Sequence, residues 1–142
     1  MNYFVLCHYE TYRKMKKPKN LKPTESELEI LNVLWDKKSA SVRTVHEVLS
    51  DFKDSGYTTT LKLMQIMYEK KLVARDDTNK THIYSPAISK ENTQSQFLDR
   101  MINGLFSGSA SDLVMQALGN NNTSNADLDK IRKLIDELKQ KK

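Results

Sequence analysis

The side chains best placed to do chemistry outside a core are Thr58, Thr59, Lys62 and Gln65, set within the run Tyr57-Thr58-Thr59-Thr60-Leu61-Lys62. A threonine hydroxyl can donate to a phosphate or a base edge, and its methyl can pack on a thymine methyl. Lys62 can reach a phosphate or a guanine edge, and the Gln65 amide can pair with adenine. The bland alternative is that Thr58 caps a helix and Lys62 is a solvated charge. A second polar group, Asn79, Lys80 and Thr81, could meet backbone phosphates, which position a protein without specifying sequence.

Chemistry of the enzymatic kind finds no support. His8, His46 and His82 are scattered, with no HExxH or similar ligand spacing, and a packing or surface role is expected for His46. The four glycines, Gly56, Gly104, Gly108 and Gly119, form no phosphate-cradling loop. Cys7 stands alone and offers neither a disulfide nor a metal pair. No enzyme activity, metal site or cofactor is therefore expected.

Groups that read a groove must be presented by rigid elements, and the chain from about residue 24 to 86 supplies them. Thr24-Glu25-Ser26-Glu27 has the capping-box pattern. Leu28, Leu31, Leu34 and Trp35 then mark a helical stripe to about Asp36, and Lys37-Lys38-Ser39-Ala40 is a break. Ser41 caps a second helix whose apolar face holds Val42, Val45, Val48, Leu49 and Phe52. Asp54-Ser55-Gly56 is a turn. The third helix runs from Tyr57 to about Lys71, with Thr60, Leu63, Met64 and Met67 on its inner face. The methionines there read as adaptable core. Leu72–Arg75 and His82–Ser85 form a hairpin around a polar turn, closed by Pro86.

Three helices and a hairpin in this order make a winged helix-turn-helix, whose third helix enters the major groove. The fold class expected is mainly α: a winged helix-turn-helix over residues 21–88, followed by a helical dimerisation domain over 89–142. In the latter, Phe97, Leu98, Met101, Ile102 and Leu105 line one segment ended by Gly108, and Leu113 and Leu118 belong to another ended by Gly119. Ser124 caps a last helix with Leu128, Ile131, Leu134, Ile135 and Leu138 at heptad-like spacing. These faces exceed what so short a stretch can bury alone, and a homodimer is the natural sink.

Charge argues less than it first promises. The chain of 142 residues carries a formal +5, but residues 1–24 hold six Lys/Arg against one Glu. From residue 25 onward 17 basic and 17 acidic residues cancel. Residues 1–20 are read as an N-terminal extension. Met15-Lys16-Lys17-Pro18-Lys19 resembles an ordinary bacterial N-terminus, so residues 1–14 are expected to be non-native. The alternative is a genuine, disordered basic arm. No run approaches the ~18–20 apolar residues of a membrane span, and no signal peptide is recognised, so a cytoplasmic protein is expected.

Taken together, these residues resemble a known family. Thr24-Glu25-Ser26-Glu27-Leu28-Glu29-Ile30-Leu31 through Leu34-Trp35 is similar to the first-helix signature of BlaI/MecI/CopY-type penicillinase repressors. Tyr57-Thr58-Thr59-Thr60 and Met67-Tyr68-Glu69-Lys70-Lys71-Leu72-Val73 resemble its recognition helix and turn. His82-Ile83-Tyr84-Ser85-Pro86 loosely matches its wing strand, and Phe97-Leu98-Asp99-Arg100-Met101 the start of its dimerisation region.

The resemblance covers residues 21–140. It implies a bacterial repressor that binds a palindromic operator in double-stranded DNA as a homodimer, with a membrane metalloprotease antirepressor as an implied partner. Lys71 replaces the family's usual glycine, so the third helix is expected to end without a left-handed residue. The family's Asn–Phe cleavage bond corresponds to Gln116-Ala117 here, which speaks against release by that route. The copper-responsive members' Cys-x-Cys pairs are missing. Two rival readings are a winged helix used as a protein–protein module and a small-molecule-responsive regulator.

Overall fold

The computed structural model describes residues 22–142; the expectations for residues 1–20 lie outside that range. It falls into two compact units, one running through Lys90 and the other spanning Glu91–Lys142.

The first unit opens with α1, Glu25–Lys37. Its start is fixed by the capping box the sequence predicts: Glu27 N donates to Thr24 Oγ1 at 3.3 Å, and Thr24 N donates to Glu27 Oε2 at 2.8 Å. Two orphan amides of the first turn are thereby satisfied. Burial along α1 is deepest at Ile30, Leu31 and Leu34, whereas Leu28 and Trp35 are only partly covered. Trp35 is held by its indole Nε1–H, which donates to Ile88 O at 3.0 Å.

The predicted break after α1 contains structure. Lys38 takes φ 70° and reverses the chain, and Ala40–Ser41 forms a two-residue strand, β1. Ser41 then serves as N-cap of α2, Val42–Ser50, accepting from Thr44 N at 3.2 Å. Phe52, expected on the buried face of this helix, is 85% exposed, because α2 ends two residues earlier and Asp51–Phe52 turn outward.

Gly56 caps α3, Tyr57–Glu69, without a side-chain bond, so Thr58 is not its cap. The buried face carries Thr60, Met64 and Met67 as expected. After it come β2, Val73–Asp76, and β3, Ile83–Pro86, paired antiparallel with Arg75 opposite Tyr84. Pro86 is thus the last residue of a strand, opposite Val73, rather than a cap on the hairpin. β1 joins the other edge of β3, with Ala40 opposite Tyr84, giving the order β1-β3-β2. The third strand matters because an isolated two-stranded hairpin is marginal in water. Ile30, Leu31, Leu34, Val45, Met64, Met67, Leu72 and Tyr84 form one core beneath the three helices and the sheet.

Helix α3 ends with Lys71 at φ 64°. The sequence reading, that it would end without a left-handed residue, is overturned. Leu72 N donates to Met67 O at 2.9 Å, closing the helix with the six-residue loop of a Schellman-type ending. The lysine takes the left-handed geometry although it has a Cβ to accommodate.

The second unit is helical throughout: α4, Lys90–Leu105; α5, Ala110–Asn120; and α6, Asn125–Gln140. Helix α4 begins well before Phe97, and Gly119 lies inside α5 rather than ending it. Ser109 caps α5 and Ser124 caps α6, accepting from Asp127 N at 3.1 Å. Among residues 94–142 not one is buried.

Candidate nucleic-acid interface

An α-helix advances about 100° per residue, so Thr58, Lys62 and Gln65 fall within one narrow stripe of α3. All three are exposed, and the stripe lies opposite the buried Thr60, Met64 and Met67. Thr59 is exposed too, about a quarter turn to the side. Glu69 continues the stripe at the helix's far end and is exposed. The uncharged and basic polar groups of the stripe therefore sit toward the N-terminal half of α3, and the carboxylate sits at its C-terminal end. Lys62 forms no ion pair among the described residues.

The rotation of α3 about its own axis decides which residues form that stripe. Thr60, 1% exposed, turns its hydroxyl to His46 Nδ1 on α2 at 3.4 Å. The other ring nitrogen of His46 faces Ser50 Oγ at 3.3 Å, and the ring meets Tyr57 edge-on with centroids 5.7 Å apart. His46 is thus a packing histidine, as the sequence reading holds, and it bridges the two helices of the motif beside their shared core. At the other end of α3, Lys70 Nζ lies 2.7 Å from Glu27 Oε1 on α1.

The wing residues Asn79, Lys80 and Thr81 are all exposed in the turn between β2 and β3. The turn is organised by two aspartates. Asp76 Oδ1 accepts from Thr78 N at 2.9 Å and from Thr78 Oγ1 at 2.7 Å. Asp77 faces Arg75: Nε lies 2.6 Å from Oδ1, and Nη2 donates to Oδ2 at 3.1 Å. The Nε atom is shut off from solvent and its approach is an ion contact rather than a directed hydrogen bond. The Arg75 guanidinium also lies 4.2 Å over the ring of Tyr68 on α3. Hydrogen bonding to Asp77, and next to Tyr84, holds its charge more firmly than usual. Arg75, Asp77 and Tyr68 were not among the residues singled out from sequence. The one signal was the pairing of an arginine with acidic residues at the mouth of a turn, which reads equally as solvation.

In the second unit the residues expected at a dimer seam are displayed rather than covered. Leu105 is 79% exposed, Leu134 54% and Ile135 45%; Leu98, Met101, Leu128 and Leu138 are exposed as well. Phe97, Ile102, Leu113, Leu118 and Ile131 are half-buried. Met115, at 72% exposure, and Val114, of the same short apolar segment as Leu113 and Leu118, are exposed as well.

Comparison with known proteins matches residues 23–137 to the penicillinase repressor family profile. The penicillinase repressor of Staphylococcus aureus is 21% identical over 123 residues, covering 87% of this chain and 98% of that protein. The methicillin resistance regulatory protein MecI of S. aureus strain N315 is 23% identical over 114 residues, 80% of this chain and 93% of the relative. Among solved structures, the DNA-binding domain of the repressor BlaI covers 55% of this chain and 93% of its own, with 22% identity and a TM-score of 0.46.

Proposed function

The chain belongs to the penicillinase repressor family, and from that membership we infer that it is a DNA-binding transcriptional repressor that grips a palindromic operator as a homodimer. The observation that carries the reading is the stripe of Thr58, Lys62 and Gln65, exposed on the face of α3 opposite the core. In this reading α3 enters the major groove N-terminus first, with Thr59 beside it, while Asn79, Lys80 and Thr81 meet phosphates. Two protomers would place their α3 helices in successive major grooves, about 34–36 Å apart.

The homodimer is supported by the second unit, where no residue of 94–142 is buried yet the stretch carries fifteen large apolar side chains. Helices of this length are marginal in water without tertiary packing. A second copy offers the same faces and closes the assembly. We further propose a cytoplasmic location and a membrane metalloprotease antirepressor as the partner that relieves repression. Gln116-Ala117, which the resemblance sets against the family's Asn–Phe bond, lies within α5, and its residue types speak against cleavage by the route of the β-lactam-induced members.

The deciding experiment is selection of bound sequences from a random duplex pool by the full chain, followed by a salt titration on the winner. Recovery of an inverted repeat, with affinity falling steeply as salt rises, is the expected result. Failure to bind any duplex at low salt would overturn the reading in favour of a protein–protein module.

A further inference from the structure

The wing turn has no apolar anchor: residues 77–82 are polar and exposed. Left to the hairpin alone, such a tip would sample many positions, and ordering it on a ligand would cost affinity. The structure instead supplies a tether made of charge and an aromatic face. Arg75 leaves β2 with its side chain 23% exposed and meets Asp77, the first residue of the turn, through both carboxylate oxygens. The same guanidinium lies on Tyr68 of α3, 4.2 Å from the ring centroid. On the far side of the turn, His82 Nδ1 lies 3.5 Å from the same Asp77 oxygen. Both arms of the turn therefore converge on one carboxylate, and that carboxylate is tied to the recognition helix. Lys80, at the tip, forms no ion pair among the described residues.

We propose that Arg75 and Asp77 are positioning residues: by tying the wing turn to Tyr68 of α3, they fix where Lys80 meets the phosphate backbone relative to the groove-facing stripe. The inference rests on the DNA-binding reading above and adds a division of labour among the wing cations. Arg75, the more enclosed, is committed to geometry. Lys80 is left for the phosphate. A planar guanidinium suits the first task because it engages a carboxylate side-on and stacks on a ring at once, which an ammonium cannot do.

The test is a double-mutant cycle on the full chain, read by fluorescence anisotropy with a mixed-sequence duplex a few turns long across a salt series. Lys80→Ala in the otherwise native protein is expected to weaken binding severalfold and to lower the salt slope by about one. Asp77→Asn alone should weaken binding by a comparable factor, and Lys80→Ala added to it should then change little, because the tip is no longer held in place. Arg75→Lys keeps the charge but loses the two-point contact and the stack, so it should behave like Asp77→Asn. Melting curves monitored by circular dichroism establish that each variant is folded at the assay temperature.

Equal effects of Lys80→Ala in both backgrounds would overturn the inference. So would tighter binding by Asp77→Asn, which would mean that Asp77 masks Arg75 from phosphate. A native chain with no affinity for the duplex at low salt would instead overturn the DNA-binding reading, and this inference with it.

Discussion

Lys70 Nζ lies 2.7 Å from Glu27 Oε1 and joins the end of α3 to the beginning of α1 across 43 residues of sequence. Glu27 is 2% exposed, and its second oxygen takes the Thr24 amide at 2.8 Å. One carboxylate thus completes a helix cap and fastens the end of α3 to the rest of the unit. Glu27→Ala removes both bonds and opens a small void, but Lys70, 41% exposed, can return to water. A loss of about 1–3 kcal/mol is expected, drawn from the lost cap bonds and from the void. Thermal melts should show it, while Lys70→Met, which strands the carboxylate, should cost at least as much.

The same carboxylate gives a pH dependence of definite sign. Burial pushes the Glu27 carboxyl up, but hydrogen bonds from Lys70 and Thr24 outweigh it and leave the group below its ordinary value of 4.5. A depressed carboxylate contributes stability that is fully present above the unfolded value and lost as pH falls through the folded one. The stability gap between the native protein and Glu27→Gln should therefore be constant near neutrality and narrow below pH 4.5. Parallel denaturant titrations check this, and a gap that widens on acidification would contradict it.

Lys71 holds φ 64° just past the end of α3. A left-handed residue with a Cβ costs about 1 kcal/mol more than glycine there. The side chain is exposed and makes no ion pair among the described residues. Lys71→Gly is expected to stabilise the fold by about 0.5–1 kcal/mol, offset in part by the freer unfolded chain. A lower denaturation midpoint would show that the lysine side chain contributes more than its backbone strain takes away.

What could be read from sequence follows the strength of local signals. Caps at Thr24, Ser41 and Ser124 were legible because hydroxyl and carboxylate spacing determines them, and all three bonds form. The inner face of α3 was legible from helical periodicity. Phe52 was misplaced because periodicity cannot say where a helix stops, and here α2 stops two residues short of it. The strand at Ala40–Ser41 escaped because its partner, β3, lies more than 40 residues on. Arg75, Asp77 and Tyr68 escaped for a related reason: their meeting is a product of the hairpin register and the packing of α3, neither of which leaves a local pattern.

Lys62 tests the recognition stripe by itself. It is exposed, forms no ion pair among the described residues and shares a face with Thr58 and Gln65. Lys62→Ala is expected to lower operator affinity about tenfold, the equivalent of one charge-assisted contact of about 1.4 kcal/mol. Dimerisation and melting temperature should be unchanged. Unaltered binding in a gel-shift titration would take Lys62 off the interface.

The helical unit makes the last and sharpest demand. Leu128, Ile131, Ile135 and Leu138 recur along α6 at the three-and-four spacing of a two-heptad seam, and Ile135 is 45% exposed on its own. If a second copy covers that seam, Ile135→Asp buries a carboxylate among apolar side chains with no partner, at a cost of several kcal/mol. Dimer dissociation should rise by on the order of 100-fold or more, since each 1.4 kcal/mol is tenfold. Lys133→Gln, two residues away on the other side of α6, changes charge by the same single unit outside the seam and should leave the dimer intact. Sedimentation equilibrium on the three proteins separates the two effects. Operator affinity should fall with dimerisation for Ile135→Asp alone, because a lone protomer holds one half-site and forfeits the gain from engaging both at once. A monomeric native chain, or a dimer indifferent to Ile135→Asp, would move the interface off α6.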